Sequence, residues 1–166
     1  MDKNLLESSL DRIHKRYEFK LDSKDISFFT IADEEIEKIM DNNLLDVIEM
    51  VHESILFLLT NVCPDGTDIH HSIEFDKKNS RLNITFLSNA YLSLIFDKND
   101  KYSVKKSGII NEYFEFLFKS LCKEIDKFGG EYEHYPSDKF MALNVIRVYL
   151  PLTNKYEDKN VRKNFS

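Results

Sequence analysis

The chain opens on a weak helical pattern. In residues 4–14 (NLLESSLDRIH), Leu6, Leu10 and Ile13 fall on one side, as an amphipathic helix requires. Residues 17–22 (YEFKLD) alternate ring or aliphatic with charge, and that period of two predicts a half-buried strand. The strongest element follows. Between residues 33 and 62, apolar side chains recur at Ile36, Met40, Leu44, Val47, Val51, Ile55, Leu58 and Val62. A spacing of three or four predicts a long amphipathic helix, broken near Asn42-Asn43 and ended by Pro64-Asp65-Gly66. Its other side carries Asp33, Glu34, Glu35, Glu37, Asp41, Asp46, Glu49 and Glu53 against Lys38 alone, which reads as a solvated face.

A hairpin is predicted next. Ile69, His71, Ile73 and Phe75 alternate with polar neighbours, residues 76–80 (DKKNS) are turn material, and Leu82, Ile84 and Phe86 alternate again. Residues 97–108 are polar and loop-like. A second helix spans about 109–128, with Ile110, Phe114, Leu117, Leu121 and Ile125 on one stripe and Gly129-Gly130 as its stop. A short strand at 131–135, a turn at 136–138 and a strand near 141–150, with Ile146, Val148 and Leu150 on one face, complete the pattern. The order predicts an α+β two-layer sandwich: a mixed, mostly antiparallel sheet with helices on one face. The chain divides into an N-terminal helix (1–16), a sandwich domain (17–152) and a polar, flexible tail (153–166).

Composition narrows the function. The 166 residues carry 23 Lys and Arg against 29 Asp and Glu, a formal charge of −6. That balance argues against a general binder of nucleic acid or anionic membrane, which needs cationic surface. The amino terminus has no apolar signal core, and the longest purely apolar run, residues 55–59, is far short of the roughly 20 residues that cross a bilayer. Cys63 and Cys122 have no CxxC spacing and read as reduced, buried thiols. The expectation is a cytoplasmic protein. His70-His71 point to opposite faces of a strand, one surface and one buried, and do not share a metal. His52-Glu53 is not a zinc-protease motif, because position 56 is Leu.

The last third of the chain is the most telling. In residues 121–152, Lys123-Glu124-Ile125, Gly129-Gly130 and Leu150-Pro151-Leu152 stand in order, and residues 55–86 (ILFLLTNVCPDGTDIHHSIEFDKKNSRLNITF) precede them. This collinear series resembles the sensor-histidine-kinase-type (GHKL) ATPase domain, whose segments read like "NLLSNAIKYTPEGG" and "KEIVEKHGG" followed by two strands and "LPL". The resemblance implies ATP chemistry with three requirements. An Asn on the long helix helps hold magnesium on the triphosphate, and Asn61 occupies that place; one turn earlier, where a second polar residue is usual, stands Phe57. An Asp after the hairpin accepts from the adenine amino group and glycines follow it; here Ser88 replaces the Asp, and Ala90 and Leu92 the glycines. A glycine-rich lid wraps phosphate; its glycines become Phe116 and Phe118 or Glu115 and Leu117, and only Gly108, after Lys105-Lys106-Ser107, is left for a remnant. Each lost polar partner costs on the order of 1–3 kcal/mol. The losses together are worth several powers of ten in affinity.

The resemblance therefore implies a degenerate member without ATP or magnesium as cofactors. It would be a non-catalytic regulatory module of a two-component-like pathway, contacting a kinase, a response regulator or a transcription regulator, and possible as a homodimer. Phe57, Phe114 and Phe118 are expected to plug the pocket. Two enzymatic alternatives stand beside this. A divergent ATP-binding kinase would take its Asp from Asp97 or Asp100. A phosphotransferase would use His14, and would need a dimerising helical hairpin that residues 1–16 do not supply. Asn61 itself reads either as a vestigial magnesium ligand or as a helix-end Asn bonding local backbone.

Overall fold

The computed structural model describes residues 4–89, 94–96, 104–106, 112–136 and 144–152. The tail and Gly108, Ala90, Leu92, Asp97 and Asp100 lie outside the described residues.

The first helix, α1, runs Leu5–Ser23 and starts on Asn4, whose side chain accepts from Glu7 N. Leu6, Leu10, Ile13 and Leu21 are its buried residues of apolar type. This corrects the strand expected at 17–22 and the end of the helix at 16. Tyr17 and Leu21 are four apart, so they continue the 10, 13, 17, 21 stripe, while Phe19, the ring between them, is left 86% exposed. The strand lies further on. β1 (Ser27–Ala32) pairs parallel with β2 (Asp68–Asp76), Ser27 opposite Asp68 and Ala32 opposite Ile73.

The long acidic and apolar segment is two helices. A single 3-10 stretch, Glu34–Ile39, is capped by Asp33. The chain then extends through Met40 and Asp41, and α2 runs Asn42–Val62 with Asp41 accepting from Leu44 N at 2.8 Å. The break thus falls two residues before Asn42-Asn43. The hairpin of β2 and β3 (Arg81–Ser88) forms as expected, with Asp76 opposite Arg81. Two short strands, β4 (Leu94–Phe96) and β5 (Val104–Lys106), pair with each other; the second falls inside the segment expected to be loop. Then come α3 (Glu112–Lys127), β6 (Glu131–Pro136) and β7 (Asn144–Pro151).

The main sheet has the order β1-β2-β3-β7-β6, with one parallel pair and three antiparallel pairs. This is the α+β sandwich with a mixed, mostly antiparallel sheet. Ile69, Ile73, Leu82, Ile84, Phe86, Val148 and Leu150 point from one face into a core shared with Leu44, Ile48, Val51, Ile55 and Leu59 of α2 and with Leu121 and Ile125 of α3. The opposite face is polar where β3, β6 and β7 meet: Arg147 Nε donates to Thr85 Oγ1 at 3.1 Å, and Tyr149 OH donates to Glu133 Oε1 at 2.6 Å. The Gly129-Gly130 stop is steric as well as conformational. Gly129 has φ +75°, and a Cβ on Gly130 would lie 2.7 Å from the Tyr149 carbonyl oxygen and 2.8 Å from Ile125 Cγ2.

The acidic side of α2 is solvated in part: Asp46 is exposed, while α1 lies along Glu49 and Glu53. Every fourth residue of α1 is a cation that meets α2. Arg12 reaches Glu49 at 2.8 Å, Arg16 reaches Glu53 at 3.2 Å, and Lys20 reaches Asn61 at 2.7 Å. Lys24 donates to the carbonyls of Thr60 at 2.9 Å and Cys63 at 2.7 Å. Partners rise in number together, so the two helices run parallel. Ser9 also donates to Glu49, and Glu37 caps α1 by accepting from Leu5 N at 2.9 Å. The rungs differ in worth. Lys24 closes carbonyls at the negative end of α2, whereas Arg12 is largely exposed and its pair is screened. Lys24→Met is expected to lower unfolding stability by about 1–2 kcal/mol in urea titration. Arg12→Ala is expected to lower it by less than about 1 kcal/mol.

Candidate functional site

The C-terminal end of α2 brings together most of the residues singled out from the sequence. Asn61 is exposed and fully engaged. Its Nδ2 donates to the Phe57 carbonyl one turn back at 2.7 Å, and its Oδ1 accepts from Lys20 Nζ. Lys20 also lies 5.5 Å from the centre of the Phe57 ring, a cation–π distance. Its pKa is lowered, first by desolvation and then by the charge of Lys24. Phe57 is half-buried, packed against the core. An ammonium from α1 therefore sits on the carboxamide oxygen that the resemblance assigns to a magnesium ion.

Ser88 closes the inner end of this region. It is 2% exposed, at the end of β3, and hydrogen-bonds the thiol of Cys63. Burial pushes that thiol up to about 11, against the opposing pull of Ser88, Lys24 and Thr67. Cys63 and Cys122 are both free and buried. Position 88 thus holds a short, buried hydroxyl where the resemblance assigns an adenine-reading carboxylate. Phe116, one of the residues at the lid positions, is 65% exposed. The side chains of Phe114, Leu117 and Phe118 are outside the described ones, and the three-ring plug is described only at Phe57. At these positions the described side chains do not supply the donor and acceptor set of a magnesium–triphosphate site, and no step through that group follows from them.

A second cluster was not foreseen in the sequence. His52 of α2 and His71 of β2 are 1% and 2% exposed, with ring centres 4.6 Å apart. His71 stacks on Phe86 at 4.2 Å, and Phe28 of β1 lies 5.7 Å from both His52 and His14. Thr30 Oγ1 is 3.4 Å from His71 Nδ1. Among the described residues, both nitrogens of His52 and Nε2 of His71 find no hydrogen-bond partner. Burial, and then the neighbouring imidazole, lowers both pKa values: His52 to about 4, under the influence of His14, and His71 well below the usual range, under that of His52. The signal was present in the register. His71 lies between the inward residues Ile69 and Ile73, and His52 falls beside Val51 on the apolar stripe. His70 is exposed and stacks on Phe29 instead. No group of three or more His, Cys, Asp or Glu among the described residues is arranged to hold a metal. No described helix is long and apolar enough to cross a membrane. His14 lies half-buried on α1, packed on Phe28, and α1 is one helix laid against α2 and β1 rather than half of a hairpin.

No protein-family model matches the sequence, and no curated protein matches it either. Solved structures do match. The catalytic domain of histidine kinase ThkA superposes with a TM-score of 0.63 at 14% identity, over 92% of this chain and 97% of that one. The mycobacterial sensor histidine kinase MprB gives 0.57 at 13% identity, over 88% and 92%. The histidine kinase domain of the Erythrobacter litoralis blue-light activated kinase gives 0.58 at 9% identity, over 89% of this chain and 62% of that one. The fold is that of the histidine kinase catalytic, ATPase-type domain, with the hairpin after the long helix and the closing pair of strands in the expected order.

The histidine pair makes stability pH-dependent. The unfolded chain takes up a proton on His52 below about pH 6.5, while the folded chain resists until about pH 4. Unfolding stability is therefore full above pH 6.5 and falls as pH drops towards 4, with about 3 kcal/mol as the upper bound of the His52 share. Urea midpoints measured across that range are expected to fall for the wild type and to fall less for His52→Leu.

Proposed function

We propose that this chain is a non-catalytic regulatory domain that works through protein contacts in a two-component-like signalling pathway, on a histidine kinase ATPase scaffold. One observation carries the reading: Lys20 occupies Asn61 Oδ1 at 2.7 Å, so the acceptor at the metal position already faces a built-in cation. Ser88, buried against Cys63, supports it, because a hydroxyl engaged with the core cannot replace a carboxylate at the base-reading position. The acidic charge of −6 favours protein partners over nucleic acid or anionic membrane. A kinase, a response regulator or a transcription regulator fits the role, and the cytoplasm is the compartment in which such partners and two free thiols coexist. Neither enzymatic alternative gains a supporting contact among the described residues.

The reading is tested by isothermal titration of the purified chain with ATP, with and without magnesium. No saturable heat is expected up to about millimolar nucleotide, a loss of roughly 4 kcal/mol relative to micromolar binding. Micromolar, magnesium-dependent affinity overturns the reading in favour of a kinase. Affinity capture that recovers neither a kinase, a receiver domain nor a transcription regulator removes the pathway assignment.

A further inference from the structure

β1 is the edge of the sheet, and among the described residues nothing guards it. Its sequence, SFFTIA, holds no charge and no proline, and no bulge interrupts its register with β2. Edge strands normally carry one of these devices against pairing with other chains. Phe29 and Ile31, on the face away from the helices, are 64% and 73% exposed. Ser27 N and Asp33 N donate inward, to Thr67 O and Ile73 O. In a parallel pair a residue turns both its amide and its carbonyl to the same side. The amides and carbonyls of Phe28, Thr30 and Ala32 therefore face outward, and among the described residues no strand meets them.

Beside this edge, on the helix face, lies a groove of about 430 Å³. Its floor is Phe28, Thr30 and Ala32, and its wall is Glu7, Asp11 and His14 of α1. Arg12, Arg16 and Lys20 of α1 turn to α2, while Glu7 and Asp11 line the groove. Buried His71 backs the floor, against the Phe28 ring and Thr30 Oγ1.

We propose that β1 accepts a sixth strand: an extended peptide segment of a partner protein that alternates basic and apolar residues. Its backbone would complete the outward hydrogen bonds of Phe28, Thr30 and Ala32. Its basic side chains would lie in the groove against Glu7 and Asp11, and its apolar side chains would cover Phe29 and Ile31. Charge selects this occupant over a second copy of the chain. Antiparallel pairing of β1 with itself would bring two acidic α1 walls together on the same face, where like charges repel. The proposal gives the protein-contact reading a surface and rests on it, but the two fail separately. ATP binding would sink the earlier reading without touching this edge.

The test is fluorescence anisotropy with two labelled peptides at low salt, Lys-Val-Lys-Val-Lys-Val-Lys and Glu-Val-Glu-Val-Glu-Val-Glu, against the full chain. The basic peptide is expected to bind at least about tenfold more tightly. Thr30→Pro deletes an outward N–H and leaves the ladder to β2, so it is expected to abolish binding. Should that variant fail to fold, the surface pair Glu7→Lys with Asp11→Lys decides, because it is expected to invert the preference between the peptides. The proposal is overturned by binding of neither peptide, by equal affinity for both, or by binding that survives Thr30→Pro. A wild-type dimer in sedimentation that Thr30→Pro dissolves also overturns it, in favour of self-pairing.

Discussion

Helix α2 is enclosed on three sides, by the sheet, by α1 and by α3, and several polar groups along it are answered from α1. Leu44, Ile48, Val51, Ile55, Leu56 and Leu59 are almost wholly buried, so the helix cannot rotate to bring its polar residues to water. The answer comes from α1. A cation every fourth residue on one parallel helix meets Glu49, Glu53, Asn61 and the closing carbonyls on the other. Each rung is modest, but the set fixes which way α1 faces. That orientation places Glu7 and Asp11 of α1 beside β1. His52 is the one buried polar side chain of α2 whose ring nitrogens find no partner, and it stays in place by remaining neutral against His71.

On the proposed reading, the same constraint bears on the position that the resemblance assigns to magnesium. A magnesium-binding Asn has to leave its carboxamide oxygen open to the ion. Here the chain supplies Lys20 from a position one rung along a regular ladder, so the oxygen is held by the architecture of the helix pair. The change at Ser88 works in the same direction from below. A carboxylate there would have to be solvated or matched, whereas a hydroxyl bonded to a buried thiol can be absorbed into the core.

Much of the architecture was legible along the chain, and what was missed has definite causes. The hairpin of β2 and β3, both later helices and the closing strands followed from apolar period and turn residues. The strand expected at 17–22 did not form, since Tyr17 and Leu21 satisfy a helical period as well as a strand period, and the preceding stripe of Leu6, Leu10 and Ile13 decides between them. β1 escaped notice because SFFTIA is apolar on both faces, giving no alternation to find. The break expected near Asn42-Asn43 falls at Met40 and Asp41, which are extended between two separate caps. At the site, Asn61 and Ser88 could be placed from the collinear motifs. The hand of Lys20 on Asn61 could not, because it depends on the crossing of α1 over α2, which no local pattern encodes. The inward pair of histidines needed the register of two distant elements at once.

The placement of β1 has a consequence for the order of assembly. Its ladder joins Ser27 to Asp68 across the whole of α2, whereas β2 with β3 closes through a tight turn. Closing the longer span costs more chain entropy and returns nothing until α2 has already docked. The hairpin therefore nucleates ahead of the β1 ladder. During synthesis β1 leaves the ribosome well before the strand it must pair with exists, so the nascent chain carries an apolar hexapeptide with nothing to bind.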